Sequence, residues 1–279
     1  MKKIFIVVCL GLIWSSGPFG AKGKGLGLLR IKGSILMVHG SAPFNSEGRV
    51  PDERAGQYAS STFFKDIREN LESRGWKIVT YSKPGVFEHH VDYNVYKTTD
   101  LKVLGDQIRK EWKNLPSGRP RLVLAWSEGT LHVSQLPLAE LDGVVLIGGI
   151  STNIREVILW QAGDEREKME ADLQEILKYP RDEMLGIDRP VGRLIDELKL
   201  PDNWKAFSSF EKLPMLILHG GSDTEVPVTQ AKQWKKKLSS HQIDVQIFQE
   251  KNHIPDSRIK NLQEFLKAIS QAASMGSRS

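Results

Sequence analysis

From residue 34 onward, short runs of aliphatic and β-branched residues alternate with longer stretches in which apolar positions recur every three or four residues. Ser34 to His39, Trp76 to Tyr81, Arg121 to Trp126, Gly143 to Ile147, Met215 to His219 and Val245 to Phe248 read as strands. Thr62 to Arg74 carries Phe63, Phe64, Ile67 and Leu71 on one helical face and stops at Gly75. Leu101 to Trp112, Thr229 to Leu238 and Ser257 to Ala272 follow the same helical spacing. Strands that alternate with helices predict a parallel sheet covered on both faces, with right-handed crossovers and ligands at the carboxyl ends of the strands. One stretch breaks the alternation. Between Ile150 and Phe210 the sequence is polar, helical and without a visible strand. About sixty residues is too long for an ordinary crossover, so 151–210 reads as an inserted helical cap over that edge.

The first residues differ from the rest. Lys2 and Lys3 precede the apolar run Ile4 to Trp14, and Ser15-Ser16-Gly17-Pro18 breaks it. This order predicts a signal peptide over 1–21 and an exported chain, periplasmic or secreted, with no stable membrane insertion once it is cleaved. The run falls short of the roughly twenty residues that span a bilayer; left uncleaved, it serves as an N-terminal anchor. The leader Lys22 to Gly27 has glycines at alternate positions, but no strand precedes it to make a dinucleotide fingerprint.

The single cysteine, Cys9, lies inside the apolar run, so the processed chain has no disulfide, thiolate metal site or cysteine nucleophile. The 279 residues carry 39 basic against 34 acidic side chains, a dispersed excess of +5. Its densest run, Lys235-Lys236-Lys237, reads as one solvated helix face rather than a nucleic-acid surface. No metal-ligand spacing or cofactor motif stands out, and the adjacent His89 and His90 read as a polar loop.

Four segments that each follow a strand carry the candidate chemistry. Leu122 to Trp126 feeds Ser127-Glu128-Gly129, a strand–serine–helix order in which a tight turn lifts a hydroxyl above the sheet edge. The crowded turn needs small residues on both sides, here Ala125 and Gly129, giving A-x-S-x-G in place of the commoner G-x-S-x-G. His39-Gly40-Ser41 lets backbone N–H groups point across the same edge. Ser41 and Glu128 thus offer two donors to the negative oxygen of a tetrahedral intermediate. His219-Gly220-Gly221-Ser222-Asp223 brings a carboxylate, and Asn252-His253 an imidazole after the final strand. A serine hydroxyl needs a base, so His253 takes its proton while Asp223 fixes and stabilises the imidazole. Trp126 and Glu128 flank the nucleophile as candidate substrate-shaping residues, and the long Ser41 to Ser61 loop is placed to fold over the pocket mouth.

On these residues the chain from about 33 to 273 resembles the α/β-hydrolase fold family. The His-Gly after the first strand, the serine elbow, the His-Gly-x-x-Asp-x-x-Val-Pro segment ending at Pro227 and the late histidine all match its marks. The resemblance implies a mostly parallel sheet; the family's leading antiparallel hairpin is missing here, which leaves six strands, or seven with Leu28 to Lys32. It implies Ser127 as nucleophile, Asp223 as acid, His253 as base, and no cofactor. A serine at the elbow argues against dehalogenases and epoxide hydrolases, which place an aspartate there. The leading expectation is an esterase acting on a small carboxylic ester. The alternatives are a peptidase or amidase with the same triad, acyl transfer to another alcohol, or a non-catalytic binding protein of the same fold.

Overall fold

A computed structural model of the chain describes residues 32–55, 59, 61–117, 119–253 and 260–276. The signal peptide, the leader and the extra strand, apart from Lys32, lie outside the described residues, as does the start of the last helix before Lys260.

The chain order is β1 Gly33–Val38, α1 Phe63–Glu72, β2 Trp76–Val79, α2 Tyr93–Tyr96, α3 Leu101–Lys113, β3 Arg121–Trp126, α4 Gly129–His132 and β4 Gly143–Ile147. Then come α5 Ile154–Gln161, α6 Arg166–Ile176, β5 Met184–Leu185, β6 Arg189–Pro190, α7 Val191–Leu198 and α8 Trp204–Phe207. β7 Met215–Gly220, α9 Thr229–Lys237, β8 Ile243–Phe248 and α10 Lys260–Gly276 complete it.

Six strands form one parallel sheet in the order β2-β1-β3-β4-β7-β8. The near-continuous apolar runs of β1, β3, β4 and β7 follow from burial on both faces, while the edge strands β2 and β8 are only partly buried. On β3, Leu122, Leu124 and Trp126 join a core closed by Phe63, Phe64, Ile67 and Leu71 of α1 and by Leu262, Leu266 and Ile269 of α10. Val123 and Ala125 point the other way, into a core with Leu104, Ile108 and Trp112 of α3 and Trp234 of α9. The side-chain period of two thus feeds two separate cores from one strand.

The chain leaves β1 toward β2 on one side and returns to β3 on the other. The crevice at the carboxyl ends of β1 and β3 is therefore a topological switch point, where ligands of open parallel sheets bind. Residues 151–210 hold α5 to α8, and Ile154, Val157, Ile158, Leu173, Ile176, Val191, Leu194 and Ile195 form a third core with Leu131 and Val226. This stretch also holds the antiparallel pair β5–β6, where the sequence suggested no strand. Two-residue strands are too short to leave a readable alternation. Among the described residues, no helix is long and apolar enough to cross a membrane.

Candidate active site

Ser127 follows the last residue of β3 with φ at 55°, and is the only non-glycine residue with positive φ among those described. A left-handed backbone costs a side-chain-bearing residue on the order of 1–2 kcal/mol, so the surroundings must impose it. They do so through the Ser127 N–H, which donates to the Ile147 carbonyl at 2.9 Å, and the Ser127 carbonyl, which accepts from the Thr130 N–H at 3.0 Å and hydroxyl at 2.7 Å. A Cβ at Gly129 would collide with the Val38 and His39 carbonyls, so this glycine is required by close approach. Ala125 lies in the second core in register with Val38 and Leu146, where a methyl group is accommodated.

Across the sheet, Asp223 and His253 meet. The imidazole Nδ1 lies 2.8 Å from Asp223 Oδ2, while Oδ1 accepts the N–H groups of Glu225 and Val226 at 2.8 and 2.9 Å. Burial alone would raise the Asp223 pKa. The charge and hydrogen bond of His253, with the Val226 N–H, outweigh it and hold the carboxyl below its usual range. Asn252 ties the two loops together: its Oδ1 accepts from the N–H of Thr224 at 3.1 Å and of His253 at 2.7 Å.

Three contacts bring this pair to the serine. A Cβ at Gly148, the residue after Ile147, would stand 2.9 Å from His253 Cε1 and 3.0 Å from Nδ1. The Trp126 indole N–H donates to the His253 carbonyl at 3.2 Å, and their rings lie 5.0 Å apart. On the other flank, a Cβ at Gly40 would stand 3.1 Å from Ser127 Cβ. The loops after β1, β3, β4 and β7 and the segment after β8 therefore converge on one point. Among the described residues, the N–H groups of Ser41 and Glu128 have no protein acceptor.

No family model matches the chain. In sequence it is 25% identical over 243 residues to the esterase EstD of Thermotoga maritima, a match covering 80% of this chain and 58% of that one. The chain thus spans under two thirds of the length of that curated relative. In structure it is similar to a lipase in its open form, with TM-score 0.61, 14% identity, and coverage of 89% of this chain and 93% of that one. A thermophilic esterase from Thermogutta terrifontis aligns with TM-score 0.54 at 15% identity, covering 88% and 91%. Est1E from Butyrivibrio proteoclasticus, solved with ferulic acid, aligns with TM-score 0.53 at 12% identity, covering 88% and 90%. The chain has the α/β-hydrolase fold.

Within this α/β-hydrolase fold lies a buried polar cluster that the sequence did not reveal. Glu128, read as a flanking candidate for shaping the substrate, is 1% exposed and turned away into the protein. One of its oxygens pairs with Arg189, and the other lies 3.3 Å from Arg193 Nε. His132 Nε2 meets Glu197 Oε1 at 2.9 Å. The ligand atoms of Glu128, His132 and Glu197 come within 4.8 Å of one another, as a metal would need. Arg189 and Arg193, however, already supply the two positive charges that balance the two carboxylates. Burial would raise the Glu128 pKa, but Arg189, Arg193, His132 and Lys83 together drive it well below the ordinary range.

The two His-Gly histidines are structural. His39 packs edge-on against Phe64 at 4.7 Å with both ring nitrogens unpartnered, and burial, with Lys83 nearby, pushes its pKa down to about 3. His219 Nε2 lies 2.9 Å from the Val226 carbonyl and braces the loop that carries Asp223. Trp126, the other flanking residue, is 3% exposed and sits in an aromatic cluster with Phe44, Phe63 and Phe64. In the Ser41 to Ser61 loop, Ala42, Phe44, Val50 and Ala55 are buried in the first core, so this part of the loop is packed down. Glu225 is half-buried beside the Asp223–His253 pair, and burial, with Asp223 and Asp188, raises its pKa against the opposing charge of His253.

Proposed function

We propose that the chain is a serine hydrolase that cleaves a carboxylic ester through an acyl-enzyme on Ser127. The observation that carries the reading is the left-handed Ser127 at the end of β3, packed within one residue of both Gly40 and the His253–Asp223 pair. Strain of this kind persists where geometry serves chemistry. With Nδ1–H directed at Asp223, the neutral imidazole presents a basic Nε2, which takes the hydroxyl proton as Ser127 Oγ attacks the carbonyl. The new negative oxygen is met by the free N–H groups of Ser41 and Glu128. The imidazolium, stabilised by the buried Asp223 carboxylate, returns its proton to the departing alcohol. Water activated by His253 then releases the acid. Preference for an ester follows the esterase and lipase names of the similar proteins. The order of charged, apolar and small residues at the N-terminus supports export.

The test is hydrolysis of p-nitrophenyl esters from acetate to decanoate by the wild type and Ser127→Ala. Turnover that falls to background in the variant supports the reading. A folded wild-type protein that neither turns over any ester nor reacts with a fluorophosphonate at Ser127 rejects it. Inactivity on esters with labelling at Ser127 redirects the substrate to peptides.

A further inference from the structure

Two consecutive carbonyls in the loop after β1 attract an unusual number of donors. Lys83 Nζ bonds the Gly40 carbonyl and, at 3.0 Å, the Ser41 carbonyl. The Ser41 carbonyl is also 2.7 Å from Arg193 Nη2 and 2.9 Å from the Tyr96 hydroxyl, whose single proton it shares with the Asp188 carbonyl at 2.8 Å. Lys83 comes from the turn after β2, Tyr96 from α2 and Arg193 from α7 in the cap. We infer that Lys83, Tyr96 and Arg193 are positioning residues that aim the Ser41 N–H at the oxyanion, so that the cap forms part of the oxyanion hole. The inference rests on the hydrolase reading of Ser127.

The geometry follows from peptide planarity. In a trans peptide the carbonyl of one residue and the N–H of the next lie in one plane and point in opposite directions. Anchoring the Gly40 carbonyl on Lys83 therefore fixes the direction of the Ser41 N–H, and anchoring the Ser41 carbonyl fixes the next peptide as well. Gly40 lies against Ser127, so rotation of this peptide would swing the donor away from the reacting carbon. A hole must be in place before charge develops, because donors that reorient during the reaction lose most of their effect.

Burial makes a purely packing role a poor explanation. Lys83 is 1% exposed and has no carboxylate partner within ion-pair distance among the described residues, and burial drives its pKa well below that of an ordinary lysine. A methionine would fill the same space without the desolvation cost. What methionine cannot do is donate to two carbonyls. Arg193 links the two sides of the hole: one nitrogen of its guanidinium meets the Ser41 carbonyl and another meets the Glu128 carboxylate, while the Glu128 N–H is the second donor.

The test is Lys83→Met, with Tyr96→Phe as a milder second variant, assayed on the best p-nitrophenyl ester and by thermal unfolding. The expected result for Lys83→Met is an unchanged or raised Tm, a 10- to 100-fold loss in kcat and KM within about threefold. Affinity for a trifluoromethyl ketone, which forms a tetrahedral adduct on the serine, should fall in parallel with kcat/KM. Affinity for the product carboxylic acid should not change. Tyr96→Phe should show the same split with a smaller loss. A kcat within twofold of wild type in folded Lys83→Met overturns the inference and leaves the hydrolase reading intact; if Lys83→Met does not fold, Tyr96→Phe with unchanged kcat and ketone affinity does the same. A wild type without Ser127-dependent turnover overturns both.

Discussion

Trp126 donates its indole N–H to the main-chain carbonyl of His253 at 3.2 Å, so the residue before the proposed nucleophile holds the segment that carries the proposed base. β3 thus positions both partners of the proposed first proton transfer. Trp126→Phe keeps an aromatic ring in the cluster and deletes this bond. We expect a loss of about 1 kcal/mol in stability and a roughly tenfold fall in kcat, read by urea unfolding and steady-state kinetics. Equal kcat in the two proteins would mean that the tether does not hold the base.

Asp223→Asn should leave the fold intact and lower kcat on the order of 10³- to 10⁴-fold, because the amide favours the wrong imidazole tautomer. Circular dichroism with ester kinetics checks both parts. A loss of less than tenfold would remove Asp223 from the triad.

Gly148 has φ at +54°, and a Cβ there would stand 2.9 Å from the His253 ring. Gly148→Ala should therefore displace the imidazole, and kcat should drop by about two orders of magnitude with KM less affected. Unchanged kcat would show that the histidine loop tolerates the shift.

Acid stability should report on His39. Its folded pKa of about 3 lies below the unfolded value of 6.5, so between these values the unfolded chain binds an extra proton. Stability from this group is complete above about pH 6.5 and falls by roughly 1.4 kcal/mol per unit as pH drops toward 3. Both ring nitrogens lack partners, so His39→Phe removes the titration without breaking a hydrogen bond. The variant should show a flatter dependence of unfolding free energy on pH in that window. Parallel curves would place the acid sensitivity elsewhere.

Glu128→Ala should be among the costly substitutions, since it leaves buried Arg193 and half-buried Arg189 without their shared carboxylate. A loss of about 3–5 kcal/mol is expected by chemical denaturation. A loss under 1 kcal/mol would mean that water reaches the two guanidiniums.

The sheet was legible because its inner strands β1, β3, β4 and β7 are buried on both faces, which writes a continuous apolar run into the sequence. β3 and β4 begin and end where those runs do, and β8 starts two residues early, at Ile243, because its edge position admits Asp244. The converging loops were legible because each follows such a run and because Ser127 and Gly129 meet strong steric demands. The buried ions were not. Arg189, Arg193 and Glu197 lie four residues apart in a stretch rich in charge, and that spacing looks the same on a solvated helix. Lys83 stands in a Lys-Pro-Gly turn, where a lysine ordinarily faces water. Only the fold brings Glu128 and the loop after β1 against that stretch.

The cluster of Glu128, Arg189 and Arg193 also limits how the protein can be re-engineered. A foreign cap grafted at 151–210 would arrive without the two arginines, leaving Glu128 as a bare anion beside the serine and the Ser41 carbonyl one donor short. The 151–210 segment is thus open to revision side chain by side chain, but not to exchange as a whole unless both guanidiniums travel with it.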